Sequence, residues 1–347
     1  MKIRLLFPIL LLCLFSTTDA QENFRVMFYN CENFFDISDD PHKNDNDFLP
    51  TSTHFWTFSR YKEKQRHVAQ VITAVGGWET PALVGLCEVE NDSVIYALTH
   101  FSPLKELNYR FVVTNSPDRR GINVALLYQR DQFKLLSSVS HRIHLDRPTR
   151  DLLHVTGKVS NDDTLDVFVC HFPSRLGGEN ETEELRNTVA RELRKQADSI
   201  QSIRRNPSIL MMGDFNDYPT NESLFQVVGA KSPTDTSARY VNLMLPLVDK
   251  PNIGSHKFEA EWGILDQLMV NRNLLSSSRI RTKKPVGNIF RADFLLQDDN
   301  KYGGKRPHRT YDGFKYAGGY SDHLPVWVDL EVLNTESAKS SQSSQSK

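Results

Sequence analysis

Polar and ionisable residues recur where short apolar runs stop. Asn30 and Glu32 follow FRVMFY, Glu88 and Glu90 follow LVGLC, and His171 closes VFVC. Asp214, Asn216 and Asp217 follow LMMG, Asp266 interrupts ILDQLMV, and Asp322-His323 precede LPVWV. Loops at strand ends of open α/β sheets converge on one crevice, so six ends carrying carboxylate, amide or imidazole point to one shared site. The side-chain types select the chemistry. The hard oxygens of Glu88, Asp322 and Asn30 suit Mg²⁺ or Ca²⁺, and Mg²⁺ typically takes one or two protein carboxylates, leaving room for water and phosphate. No CxxC or HExxH occurs, which leaves structural or protease-type zinc without support. GxSxG and GxxxxGK[ST] are missing too, which argues against an α/β-hydrolase and a P-loop nucleotidase. The remaining class is metal-assisted hydrolysis, which needs a Lewis acid, a group to orient or deprotonate water, and donors for phosphoryl oxygens.

These residues need strands and loops to position them. FRVMFYN (24–30), PALVGLC (81–87), YRFVVTN (109–115), INVALLY (122–128), SILMMGD, GILDQLMV (263–270) and HLPVWVDLEV (323–332) read as strands. LLHVTGKVS and TLDVFVCHF, joined by Asn161-Asp162-Asp163, read as an antiparallel hairpin. A helix begins near Ser59, buries Val68, Val71, Ile72 and Val75, and stops at Gly76-Gly77. A longer one, over 182–204, places Leu185, Val189, Leu193, Ala197 and Ile200 on one face. Hairpins mixed with strand–helix alternation predict an α/β sandwich with mixed sheets rather than a purely parallel doubly wound fold.

The 347 residues are 39% hydrophobic, with 42 Lys and Arg against 43 Asp and Glu. That composition fills a large core and shows no global basic excess to attract polyanions. Residues 1–20 carry Lys2 and Arg4, an apolar run from Leu5 to Phe15 and small polar residues up to Ala20. This is the pattern of a cleaved signal peptide, too short for a spanning anchor, and it implies a periplasmic or secreted protein. Leu11 and Leu12 before Cys13 make a lipoprotein the weaker alternative. Removing the leader leaves 40 basic against 42 acidic residues. Cys31, Cys87 and Cys170 sit in apolar stretches and read as core residues. The final 335–347 segment is polar and of low complexity.

The ordered set FYNCENFF, LCEVEN, HFPSR, GDFND, LDQLMV and YSDHLPV, spread over about 24–332, resembles the endonuclease/exonuclease/phosphatase family, which includes deoxyribonucleases, sphingomyelinases and inositol polyphosphate phosphatases. The resemblance implies a four-layer α/β sandwich with two central mixed β-sheets and one catalytic domain over 21–334. It implies Glu88 as principal metal ligand with Asn30 and Asp322 beside it, and Glu32 as a weaker candidate. Asp214 and Asn216 correspond to the pair that orients or deprotonates water and bonds the phosphate, although an Asx turn also suits this segment. His323 with Asp266 resembles the family's His–Asp pair, and His171 occupies a position that is histidine in the deoxyribonuclease and sphingomyelinase branches. Gln267 departs from the aromatic residue or histidine that many members carry.

Other residues keep two readings. Arg119, Arg120 and Asn123, and Arg147 and Arg150, lie in loops where they could clamp phosphate or stand as solvated surface. The segment 279–309, with nine Lys or Arg against three Asp, could bind a nucleic-acid backbone or be a solvated insertion. Glu90 reads as a solvated loop carboxylate, and Asn91, Asn180 and Asn221, though in glycosylation sequons, read as turn or cap residues. Phe55-Trp56 is too short to argue for a membrane loop. The expectation is an exported, monomeric, Mg²⁺-dependent phosphodiesterase, with Mn²⁺ or Ca²⁺ as alternative ions. Its substrate is a phosphate ester, with nucleic acid as the favoured class. The alternatives are a phosphomonoesterase, a sphingomyelinase-like phospholipid hydrolase and, from another class, a catalytically silent binding module.

Overall fold

The computed structural model describes residues 22–333; the expected leader and polar tail lie outside the described residues. Strand β1 (Glu22–Phe34) extends beyond the apolar run. Its side chains alternate, with Phe24, Val26 and Phe28 in the core between the sheets and Met27, Tyr29 and Cys31 in a second core under helices. Strand β2 (Leu83–Val89) lies parallel to β1. Strand β3 (Arg110–Val113) and strand β4 (Asn123–Tyr128) continue the sheet antiparallel, β4 beside β2. On the other side of β1 run the antiparallel strands Val326–Val332 and then Ile280–Thr282.

The second sheet begins with β5 (Phe133–His141), β6 (Leu152–Val159) and β7 (Thr164–His171), joined antiparallel, so the expected hairpin is present. β8 (Ser208–Asp214) pairs parallel with β7, and Asp266–Asn271, Tyr240–Asn242 and Ala230–Lys231 complete the order. Both sheets are mixed. Leu210 and Met212 face the first sheet, while Ile209 and Met211 face outward. The sheets come so close that a Cβ on Gly85 would stand 2.9 Å from the Met212 sulfur.

Helix α1 (Phe58–Gly76) covers the first sheet with the residues the periodicity predicts, and Gly77 ends it at φ +62°. Helix α2 (Asp92–His100) packs beside it, capped by the Asn91 carboxamide oxygen, which accepts from Val94 N at 2.9 Å. Helix α3 (Glu179–Ile203) covers the second sheet through Val189, Leu193, Ala197 and Ile200. Helices, two sheets and helix make four layers. Each fully buried aliphatic side chain in these seams contributes about 1.5–3 kcal/mol. β5 and α2 are not legible beforehand, because β5 is an edge strand with mostly exposed side chains and α2 is only nine residues long. Among the described residues no helix is long and apolar enough to cross a membrane. Cys31, Cys87 and Cys170 are buried and free, as expected of core residues. Trp56 is also buried, its indole N–H bonded to Phe35 O at 3.1 Å.

Candidate active site

Parallel pairing fixes where the polar strand ends meet. β1 and β2 leave Asn30 beside Cys87, next to Glu88, while β7 and β8 leave His171 paired with Asp214. The antiparallel strand next to β8 starts at the same edge, with Asp266 paired to Asp214. One hydrogen bond joins the two sheets there: Asn30 Nδ2 donates to Asp214 Oδ2 at 3.0 Å.

Around that bond the candidates converge. His171 Nε2 stands 3.8 Å from both Glu88 Oε1 and Asp214 Oδ2, and His323 Nε2 also lies 3.8 Å from Asp214 Oδ2. His323 Nδ1–H donates to Asp266 Oδ2 at 2.7 Å, which orients the ring. Asp214 Oδ1 accepts from Asn216 N at 2.9 Å, the expected Asx turn, while Asn216 Nδ2 donates to Phe172 O. Turn and site therefore coincide. Asn216 and Glu88 both adopt left-handed φ, 50° and 55°, a strained backbone typical of functional loops. Asn30 Oδ1 caps the turn at Glu32 N, and Ser321 Oγ donates to Asn30 O, which ties the SDH segment to β1.

Asp322 sits on a second side of the cluster, where its ligand-capable atom groups with those of His256 and His323. Arg309 bridges it to Glu32, with Nε on Glu32 Oε1 at 3.1 Å and Nη2 on Asp322 Oδ2 at 3.0 Å. Glu32 also accepts from Thr310 N at 2.6 Å, so both its oxygens are committed to this loop. Buried Lys64 donates to Thr310 Oγ1 and Tyr320 O.

The electrostatics show a shortage of positive charge. Burial, joined by the Asp322 charge, pushes Glu32 up to about 7. Burial likewise pushes Asp214 up to about 7 against the pull of His323. Against the cost of burial, Asp266 and Asp214 hold His323 well above the usual imidazole range. Burial, followed by the Arg150 and Arg120 charges, keeps His171 well below it, and His171 Nδ1 is buried without a partner. Glu32, Glu88, Asp214, Asp266 and Asp322 gather here, with His323, Arg309 and Lys64 among the basic groups that act on them. This hard-oxygen set with excess negative charge fits a divalent cation.

The remaining expectations divide. Arg119 and Arg147 are exposed at a groove beside Pro173 and Ser174. Arg150 is buried, with Nη1 on Asp118 at 3.1 Å and Nη2 on Phe172 O at 2.5 Å. Asn123 is buried as well, and its carboxamide is spent on Ser116 N, Glu90 O and Gly121 O. Glu90 is not the solvated loop carboxylate expected. It is 7% exposed, accepts from Asp36 N at 2.7 Å and is pushed up to about 8, chiefly by burial. In the basic 279–309 segment, Arg279, Arg281, Lys305 and Arg306 pair with Asp163, Glu331, Asp298 and Asp312. Gln267 is buried, donates to Asp217 O and Ile264 O, and holds the GDFND turn against its neighbouring strand.

Sequence reasoning missed His256, whose ring centroid lies 4.8 Å from that of His323, and the arginines behind GDFND. Arg175 Nε donates to Asn216 O at 2.7 Å, and Arg186 Nε lies 2.8 Å from Asp217 Oδ1. HFPSR contained the first signal. Arg186, a charge on an amphipathic helix, carried none.

Fold and site together define a two-sheet sandwich whose central edge gathers carboxylate, amide and imidazole groups from both sheets. A model of the Endonuclease/Exonuclease/phosphatase family matches residues 25–332, and the chain belongs to that family. It is therefore a hydrolase of phosphoric ester bonds, in a family that depends on divalent metal. A humanized D. rerio TDP2 is similar at 13% identity and TM-score 0.57, over 89% of this chain and 98% of that one. A family protein from Bacteroides thetaiotaomicron is similar at 14% and 0.55, over 90% and 98%. The human Nocturnin catalytic domain with bound sulfate anion is similar at 16% and 0.53, over 89% and 97%. D. rerio TDP2 complexed with single strand DNA product also matches, at 13% and 0.55, over 89% and 98%. At these identities the likeness lies in the fold. A search of the curated proteins finds no match.

Proposed function

We propose that this chain is an exported Mg²⁺-dependent phosphodiesterase that cleaves its substrate by attack of water, with nucleic acid as the favoured substrate class. The observation that carries the reading is the Asn30–Asp214 bond between the sheets, which gathers Glu88, His171 and His323 around one point. The single strand DNA product in a structure of similar fold supports the substrate class. Glu88, Asn30 and Asp322 would hold Mg²⁺, with Mn²⁺ or Ca²⁺ as replacements, and the bound ion would supply Lewis-acid polarisation of a phosphoryl oxygen. Asp214 orients the attacking water and Asn216 bonds the phosphate. His323, steered by Asp266, faces the phosphoryl oxygens, and His171 exchanges a proton at the leaving oxygen. Arg119 and Arg147 meet substrate phosphate, while Arg150 and Asn123 brace the loops beneath. The catalytic domain spans 21–334, and the working unit is a monomer.

The test is turnover by the purified protein of plasmid DNA, RNA, bis-p-nitrophenyl phosphate, sphingomyelin and phosphorylated inositols, with Mg²⁺ or with chelator. Chelator-sensitive cleavage of a diester is expected, reduced at least about 100-fold in Glu88→Ala and His323→Ala. Activity that survives both substitutions would remove this mechanism, and preference for a monoester would remove the diesterase assignment. Export is checked by sequencing the N-terminus of protein recovered outside the cytoplasm, which should begin at Gln21.

A further inference from the structure

One buried nucleophile at the site has no part in the hydrolysis. Cys87 closes the apolar run LVGLC of β2, one position before Glu88 and opposite Asn30 of β1. Its side chain is fully buried in the core between the sheets, and its thiol is free. Across the sandwich it meets the ends of β7 and β8. Cys87 Sγ, a ring nitrogen of His171 and a carboxylate oxygen of Asp214 all lie within 4.8 Å of one another. His171 and Asp214 are buried too, 4% and 2% exposed, and His171 Nε2 stands 3.8 Å from Asp214 Oδ2. The other ring nitrogen, Nδ1, is buried with no hydrogen-bond partner. A buried nitrogen in that position carries an unmet demand that a ligand can meet.

Thiol, imidazole and carboxylate together are a donor set that Mg²⁺ does not seek and Zn²⁺ does. Mg²⁺ takes oxygen, whereas Zn²⁺ is bound by sulfur, imidazole nitrogen and carboxylate, and keeps a water as fourth ligand where the protein supplies three. With bonds of about 2.0–2.3 Å, a tetrahedral zinc holds its donor atoms about 3.3–3.6 Å apart. The His171–Asp214 pair is already near that spacing, and small side-chain rotations complete it. The missing CxxC and HExxH speak to zinc sites of local spacing, whereas this set comes from three strands of two sheets and is assembled by the fold. The other two described thiols do not share it: Cys31 faces the core under α1, and Cys170 the core under α3.

We propose that Cys87, His171 and Asp214 form an inhibitory site for a thiophilic divalent cation, above all Zn²⁺, separate from the oxygen ligands of the catalytic Mg²⁺. Binding displaces the Cys87 thiol proton to solvent and occupies the two groups that orient the attacking water and serve the leaving oxygen. Glu88, Asn30 and Asp322 keep their oxygens for Mg²⁺, so the enzyme is held off without losing that ion. The inhibition rests on the reading of the His171–Asp214 cluster as the reacting centre; the cation site itself does not.

Binding tests the site without requiring turnover. Zn²⁺ is titrated calorimetrically, in excess Mg²⁺, into the purified protein and into Cys87→Val, Cys87→Ala and Cys31→Ala. Thermal unfolding checks each variant, and valine, close to cysteine in size, guards against a loss of folding in Cys87→Ala. The wild type should bind one ion, with affinity at least about 100-fold weaker in both Cys87 variants and unchanged in Cys31→Ala, since losing a ligand costs more than losing a group behind one. Co²⁺ in place of Zn²⁺ should show thiolate-to-cobalt absorption in the near ultraviolet in the wild type and Cys31→Ala, and none in the Cys87 variants. Zinc that fails to bind the wild type, that binds the folded Cys87 variants equally well, or that yields to excess Mg²⁺ overturns the proposal, as does cobalt bound without sulfur absorption. Zn²⁺ should also suppress cleavage of the diester at least about 100-fold in the wild type, but not in Cys87→Val measured against its own zinc-free rate. Zinc bound through Cys87 without suppression overturns the inhibitory role. A chain with no turnover on any ester fails the phosphodiesterase reading, while calorimetry and cobalt absorption still decide the site.

Discussion

Arg175 shows how a residue outside the reacting cluster can set its geometry. Its Nε holds Asn216 O at 2.7 Å, its Nη2 reaches Asn221 Oδ1 at 2.9 Å and Asp217 Oδ1 at 3.2 Å, and its guanidinium lies 4.3 Å from the centre of the Tyr218 ring. Asn216 is thereby held in a left-handed conformation that an asparagine tolerates but does not prefer. Arg175→Ala should lower kcat about 10- to 100-fold with little change in KM, because a small displacement of a catalytic turn is costly. Arg175→Lys should recover only part of the loss, since an ammonium cannot reproduce the planar fork. Steady-state kinetics of both variants checks this, and an unchanged kcat in Arg175→Ala would remove the positioning role. Asp266→Asn probes the other side. The amide keeps the shape but loses the carboxylate that selects the His323 tautomer, so kcat should fall at least about 100-fold while the folded structure remains.

At the scale of elements, β7 and β8 carry the site on their ends and their stability on their faces. Leu193 of α3 is fully buried against them, and Leu193→Ala should cost about 2–5 kcal/mol in urea unfolding. β7 also contains Asp166, fully buried and bonded by His154 Nε2 at 2.9 Å and Thr156 Oγ1 at 2.8 Å, with Arg204 paired to its other oxygen. Against the upward push of burial, these partners hold its carboxyl below the ordinary value. A carboxyl with a lowered folded pKa stabilises fully above its unfolded pKa, about 3.9, and the contribution disappears as pH falls through the folded pKa. Unfolding free energy should therefore drop steeply on acidification below about pH 4. Asp166→Asn should be less stable at pH 7 and show a shallower acid limb. The strands of these layers were legible because a strand buried on both faces is a continuous apolar run, as in SILMM and VFVC. β5 was not legible, since an edge strand such as FKLLSSVSH satisfies itself with solvent and needs no such run.

For the whole molecule the near-balance of 42 basic and 43 acidic residues means that positive potential is local. Much of the basic 279–309 segment is paired within the fold, and Arg309 serves Glu32 and Asp322. Binding of a polyanion should then release few counterions. Raising salt from about 50 to 200 mM should weaken KM for a long single strand about 10- to 20-fold, far less than the loss for a protein making 6–10 phosphate contacts. A much steeper dependence would show that the 279–309 surface is engaged as well.

The amino-acid sequence by itself determined an α/β sandwich with mixed sheets, most of its strands and the catalytic candidates at their ends, because apolar periodicity is a local property of the chain; the two central sheets followed from the family resemblance of its motifs. It did not determine partners. Asn30 meets Asp214 across 184 positions, Arg309 meets Glu32 across 277, and Arg175 meets Asn216 across 41. Arg150 and Arg147 look alike in DRPTRD, yet one is buried under Asp118 and the other is open to solvent. Glu90 looks like any loop acid until the turn at Asp36 covers it. Whether a polar side chain faces substrate, solvent or another residue depends on what other parts of the chain pack against it, and only the tertiary structure decides that.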